Sequence, residues 1–225
     1  MHDLWYPFRR ETHMRWVILL NMIMVSQGTC LNTATQSTFI SLMIYASSRF
    51  KILKIKLRKF DEIAHEENSG DIMTTVKILT KEHQNLLHFV ESLNERTKYV
   101  MLMEFLLNSI SLASVTIQLV VVTTLSRLFT AFSIVVLQLF QIFILAWSAN
   151  EISQEGLLVA DAIGSSKWYE QNAAIRKLFL MMIMRAQIPI GLTAGPFFRM
   201  STNTALTTVK AAYTYLSLMM QNYEK

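Results

Sequence analysis

Cysteine is nearly absent from this sequence of 225 residues: Cys30 stands alone, which excludes a disulfide framework and a cysteine-rich zinc site. Prolines number three and glycines six, so few positions can interrupt a long helix. Charge is also scarce. Only 16% of residues are Asp, Glu, Lys or Arg, against roughly a quarter in an ordinary soluble domain. No P-loop, G-x-S-x-G or H-E-x-x-H motif occurs, and His65, His83 and His88 lack the i, i+4 spacing that sets two metal ligands on one helix face. Paired acids such as Asp61–Glu62 and Glu66–Glu67 sit in a charged, solvated stretch. Neither an enzyme nor a metal or cofactor site is expected. No glycosylation acceptor, internal repeat or low-complexity tract is present.

What remains is apolar and unevenly charged. Just over half the residues are hydrophobic, and Lys and Arg outnumber Asp and Glu by 21 to 16. From Trp16 to Ser48 there is no charged residue; Tyr99 to Ser126 holds only Glu104; Leu128 to Asn150 holds none. A bilayer core of about 30 Å needs about 20 apolar helical residues, so each stretch is long enough to span. "SIVVLQLFQIFILAW" (Ser133–Trp147) is the clearest of them. The first is polar in its middle, "SQGTCLNTATQST" (Ser26–Thr38), and that middle must face protein or a water-filled cavity rather than lipid. Arg9, Arg10 and Arg15 ahead of Trp16–Val25 imitate a signal peptide, but the uncharged stretch runs far past any cleavage zone.

Lys and Arg set an orientation. Residues 49–98 hold ten and residues 151–187 hold four, against Arg9, Arg10, Arg15, Arg127 and Lys225 on the other side. The positive-inside bias puts both long connections in the cytoplasm and both ends of the chain outside. The run "RFKILKIKLRK" (Arg49–Lys59) reads either as a patch for nucleic acid or anionic lipid, or as the basic flank of a membrane helix. Leu53, Leu57, Phe60 and Ala64 keep helical spacing and favour the flank, so no nucleic-acid partner is expected. Ile72, Val76, Leu79, His83, Leu86, Val90 and Leu93 form the stripe of an amphipathic helix leading into the Tyr99 span. "RAQIPIGLTAGPFF" (Arg185–Phe198) breaks the helical pattern with two prolines and two glycines. Beyond it, Met200–Gln221 is long enough to span but rich in Ser and Thr, and Asn203, Thr207, Lys210, Thr214, Leu218 and Gln221 share one stripe. Such a stripe lines water or a polar helix–helix seam, and both readings stay open.

The segment Trp168–Met219 resembles the C-terminal signature of the insect odorant receptor family. The residues that carry the likeness are Ser166, Trp168, Arg176, Lys177, Arg185, Pro189, Leu192–Gly195, Phe197, Phe198, Ser201, Lys210, Tyr213 and Tyr215. "EHQNLLHFVESLNE" (Glu82–Glu95) and "LWYPFRRE" (Leu4–Glu11) resemble its second intracellular segment and second extracellular loop. The chain departs from the pattern at Gly164, where an aromatic is common, and at Pro196, where a polar residue is common.

The resemblance implies an all-α fold: a polytopic transmembrane helix bundle with a cytoplasmic helical anchor domain. The expected layout is an external segment 1–15, family span four at 16–48, anchor helices at 49–98, span five at 99–126 and span six at 127–150. An anchor region with a half helix follows at 151–187, then a break at 188–199 and a pore-side span seven at 200–222. The first three family spans are missing, so a partial chain is expected. It would be the odorant-binding subunit of an odorant-gated cation channel, in a heterotetramer with the shared odorant co-receptor, in the plasma membrane of an olfactory neuron. Volatile small molecules and the lipid bilayer would be its other partners. Trp16, Leu19 and Met22, with Phe129, Phe132 and Val136, are pocket candidates, plain packing being the alternative. The register of Tyr213–Tyr215 sets Leu218 at the family's apolar gate. The alternatives of another class are a non-conducting interaction subunit and an unrelated small transporter or scaffold.

Overall fold

A computed structural model describes residues 14–60, 62, 69–121, 125–207, 209, 210, 214 and 217. Three long helices dominate: α1 (Met14–Arg58), α2 (Ser69–Val121) and α3 (Leu125–Gly164). At about 1.5 Å per residue each is about 60–80 Å long, at least twice a bilayer core. All three are long and apolar enough to cross a membrane. The chain divides into two compact units, Met1–Leu42 and Met43–Lys225.

The polar middle of the first stretch leaves the backbone intact. α1 runs through it, and the hydroxyls of Thr29, Thr35 and Thr38 donate to the carbonyls of Val25, Leu31 and Ala34 at 2.8–2.9 Å. Hydroxyls bonded to the preceding turn neither release a carbonyl nor break a helix. α2 is likewise continuous from the amphipathic stripe into the apolar stretch after Tyr99.

A short 3-10 turn, Trp168–Glu170, separates α3 from α4 (Ala173–Ala186). The half helix expected before the break therefore starts only after Asn172. Two strands of two residues, β1 (Thr193–Ala194) and β2 (Phe198–Arg199), then pair antiparallel. They are the one departure from an all-helical chain among the described residues, because two prolines and Gly195 leave no helical path there. Residues 202–207 are helical again.

Within the second unit the core is a set of stripes at helical spacing. The lower part of α1 buries Met43, Ala46, Phe50, Leu53 and Leu57, and Phe60 follows on the same face. α2 buries Val76, Leu79, His83, Leu86 and Val90; α3 buries Ala149, Ile152, Val159 and Ile163; α4 buries Ile175, Phe179 and Met182. Phe60 meets Phe179 edge-on at 5.0 Å, which locks the end of α1 to α4.

The basic run is not a free patch. Arg49 and Lys56 both reach Glu82 of α2, at 3.1 and 2.8 Å. Lys51 pairs with Glu151 of α3 at 2.7 Å, a hydrogen bond that raises the lysine above its usual pKa. Lys54 pairs with Glu155, one turn further along α3, with both side chains nearly buried. Four of the six basic residues in the run are thus tied to carboxylates on the two neighbouring helices. Removing one partner of a buried pair strands the other charge at a cost of about 3–5 kcal/mol, whereas an apolar pair of similar volume is often neutral. Lys54→Met is therefore expected to lower the Tm of the detergent-solubilised chain sharply, and Lys54→Met with Glu155→Leu to restore most of it. Exposed pairs contribute much less, so Lys51→Met is expected to shift the Tm only slightly.

Candidate functional site

The segment that turns the chain from α4 toward the last helix is built on the flanks of α2 and α3. α4 ends where the N–H groups of Gln187 and Ile188 return to the carbonyls of Ile183 and Arg185. Pro189 then stays at the surface while Ile190, Leu192 and Ala194 turn inward. Ile190 packs closely over Gly156 of α3: a Cβ there would lie 3.1 Å from Ile190 Cγ2, so Ile190 would have to give by a few tenths of an ångström.

Two residues of α2 hold the hairpin. Asn94 Oδ1 accepts from the N–H and the hydroxyl of Thr193, at 2.7 and 3.0 Å. The Lys98 carbonyl accepts from the N–H of Gly195 at 2.8 Å. Gly195 has φ +60°, and a Cβ would sit 2.9 Å from Leu102 Cδ2. The backbone angle favours glycine, and any larger residue would also have to displace the end of the Leu102 side chain. Phe198 then packs edge-on against Phe105 of α2 at 5.1 Å.

The last helix starts from this platform. The Met200 N–H donates to the Leu192 carbonyl at 2.9 Å and Arg199 donates to the Pro189 carbonyl at 3.0 Å, closing the hairpin at its base. Ser201 Oγ then accepts from the Thr204 N–H at 3.3 Å, an N-cap that satisfies an orphan donor of the new helix. Ala205 packs on Ile142 and Ala146 of α3. Along the next turns, Thr207, Lys210 and Thr214 are exposed. Thr207 donates to the Asn203 carbonyl and Thr214 to the Lys210 carbonyl, both at 2.9 Å. Leu218, Gln221, Tyr213 and Tyr215 lie outside the described residues.

The other candidates fall in several places. Trp168 is half-buried in the turn before α4, and Arg176 and Lys177 point outward from α4. Arg185 pairs with Glu91 of α2 at 2.5 Å. Trp16, Leu19 and Met22 are exposed on the N-terminal part of α1, in the first unit. Phe129 and Phe132 join Leu125 and Leu128 around an open apolar depression at the start of α3, while Val136 is exposed but does not line it.

A family model described as 7tm Odorant receptor matches residues 1–213. The chain belongs to that family. Odorant receptor 10 of Aedes albopictus is 26% identical over 208 residues, covering 92% of this chain and 55% of the relative. Odorant receptor 30a of Drosophila melanogaster is 23% identical over 205 residues, covering 91% and 53%. The chain thus spans about half the length of the curated relatives it matches. The insect olfactory receptor OR5 of Machilis hrabei superimposes with a TM-score of 0.84 at 19% identity, over 96% of this chain and 56% of that one; its complex with eugenol gives 0.80. These likenesses confirm the helical-bundle fold, and family membership with three apolar helices makes the chain a multi-pass membrane protein. Membership in a receptor family also agrees with the expectation that the chain is not an enzyme.

Several residues of this odorant receptor chain carry geometry that sequence reading missed. Asn94 and Lys98 seat the hairpin, Gly156 lies closely under Ile190, and Glu82, Glu151 and Glu155 neutralise the basic run. One signal was available: Glu151 and Glu155 stand one turn apart directly after an uncharged span, and Lys51 and Lys54 do the same after another.

Two outcomes follow from this geometry. Gly195→Ala is expected to destabilise the hairpin seat by about 1–3 kcal/mol, read as a lower Tm in detergent. Leu102→Ala in the same chain should relieve the contact but not the backbone strain, so recovery should be partial. The second outcome concerns His83, a nearly buried residue of α2. Burial first, and the nearby Arg185 guanidinium second, lower its pKa from 6.5 to about 4. The unfolded chain therefore binds the proton first as pH falls, so His83 stabilises the fold above pH 6.5 and that contribution is lost between pH 6.5 and about 4. A Tm series across this window should fall for the wild type and flatten for His83→Met.

Proposed function

We propose that this chain forms spans four to seven of an odorant-gated cation channel subunit, with span seven beside the pore. The observation that carries this reading is the clamped break. A half helix packed among anchor helices, followed by a hairpin fixed to α2 and a capped, Ser- and Thr-rich helix, fits a chain returning from a cytoplasmic anchor into a conducting path. Irregular backbone at such a boundary is tolerated where protein covers it.

The partner in this reading is the odorant co-receptor, met through the anchor. α4 supports it, because Leu180, Met181, Met184 and Ile188 remain exposed on one side although the opposite face is fully buried. An apolar face of that kind outside the bilayer marks an interaction surface. The ligand is a volatile small molecule that shifts the channel toward its open population. Eugenol in the Machilis hrabei complex illustrates the class. Trp16, Leu19, Met22, Phe129, Phe132 and Val136 are the proposed contacts, and the plasma membrane of a sensory neuron is the proposed location.

The deciding experiment joins this chain behind the N-terminal spans of Odorant receptor 10 and co-expresses the chimera with a co-receptor. Odorant-evoked cation current is the expected result, with altered tuning when Trp16, Met22, Phe129 or Phe132 is replaced by Ala. Surface assembly without current would instead favour an interaction-only subunit. In the same cells, tags near Asp3 and Lys225 should be reached from outside and one at Ser69 should not; external labelling at Ser69 would contradict the orientation.

The polar stripe Thr207, Lys210, Thr214 and Gln221 would line the pore, with Leu218 in its apolar constriction. An apolar ring stops ions by dewetting. Leu218→Ser is expected to raise ligand-free current, normalised to surface protein, while Leu216→Ser, which helical spacing would set about 160° away, should not. Equal normalised leak in wild type and Leu218→Ser would remove Leu218 from the gate.

A further inference from the structure

We propose that a bound water joins Asn108 of α2 to Ser201, at the start of the last helix, inside the second unit. The site is a cavity of about 30 Å³. Its walls come from α2, α3, the hairpin and the start of the last helix, and Glu104, Asn108, Ser201 and Thr204 are its polar lining. A cavity needs about 10–15 Å³ to hold one water and two to four polar partners to keep it there, whereas an apolar cavity stays dry. This cavity meets both conditions for one or two waters. Pockets for small organic ligands start at about 300 Å³, so an odorant does not fit.

Asn108 makes the strongest demand for this water. It is half-buried in a stretch, Tyr99 to Ser126, whose one charged residue is Glu104. Its amide offers two donors and two acceptor sites, and among the described residues none of them has a protein partner. An amide left unpaired against apolar walls is costly, and lipid does not relieve it. Ser201 can take the other side. Thr204 Oγ1 donates to the Arg199 carbonyl at 3.0 Å, so in its 3.1 Å contact with Ser201 Oγ the serine is the donor. Ser201 Oγ also accepts the Thr204 N–H at 3.3 Å, which leaves one lone pair for a water. Size decides between water and covering protein: no side chain from a segment outside this chain enters a space of one or two waters. The water extends one stripe of α2. Asn94, Lys98, Phe105 and Asn108 recur at helical spacing and meet in turn Thr193, Gly195, Phe198 and, through the water, Ser201. The inference holds whether or not the assembled protein conducts.

A methionine in the wall makes the water measurable. X-ray hydroxyl-radical labelling splits a bound water, and the radical converts a neighbouring thioether to its sulfoxide even where bulk solvent does not reach. Met101, 2% exposed, lines the cavity; Met43 and Met182, at 1% and 2%, lie elsewhere in the core of the second unit and serve as references. In the full chain in lipid nanodiscs, Met101 should oxidise several-fold faster than either reference. Asn108→Leu keeps the shape and removes the amide, so it should bring Met101 down to the reference rate. Met43 and Met182 staying slow in the same sample shows that the variant is folded. Ser201→Ala is the independent variant and should lower the Met101 rate as well. A wild-type Met101 rate equal to the references would make the cavity dry and overturn the assignment. A fast rate unchanged in both variants would also overturn it, because the water would then not be held by Asn108 and Ser201.

Discussion

A chain that leaves a packed helix and enters another must satisfy the backbone groups exposed between them. Here that burden falls on two acceptors of α2. Asn94 Oδ1 takes both donors of Thr193, and the Lys98 carbonyl uses its second lone pair for the Gly195 N–H. Both lie one helical turn apart on one helix, so the hairpin inherits the rigidity of α2. The glycine turn, the Phe105–Phe198 contact and the capped start of the last helix all follow from this attachment. Without it the N–H groups of Thr193 and Gly195 would lose their acceptors.

The rest of the second unit makes the attachment point firm. Apolar stripes from four helices meet, and the ring of carboxylates Glu82, Glu151 and Glu155 receives the basic run of α1. The basic residues of that run combine two roles. Their charge is of the sign that retains a segment on the cytoplasmic side, yet most of it is neutralised by neighbours once the helices pack. A bulk charge count and a local charge count therefore give different pictures of the same run, and only the local one describes what the folded surface offers to a partner.

Much of this architecture was legible before any coordinates. The uncharged runs located three long helices because lipid admits so few alternatives. The Val76–Leu93 stripe announced a buried face, since period 3.6 has one structural meaning. The two prolines and two glycines of residues 185–198 located the break. What could not be read was the tertiary pairing. Nothing local distinguishes Asn94 from other polar residues of an amphipathic helix; its role depends on a hairpin that returns about a hundred residues later. The two-residue strands are too short for any alternation to show. The polar middle of α1 stays helical because side-chain polarity and backbone breakage are separate properties: the hydroxyls of Thr29, Thr35 and Thr38 bond to carbonyls of the preceding turn.

The central claim is that the break is a fixed part of the anchor rather than a loose link. Amide hydrogen exchange on the intact chain in lipid nanodiscs tests it most directly, because local opening free energies separate attached segments from detached ones. The account predicts that the amides of Thr193, Gly195 and Met200 exchange as slowly as those of residues 86–97 in α2. Exchange of these three at the rate of an exposed turn, while residues 86–97 stay protected, would contradict it.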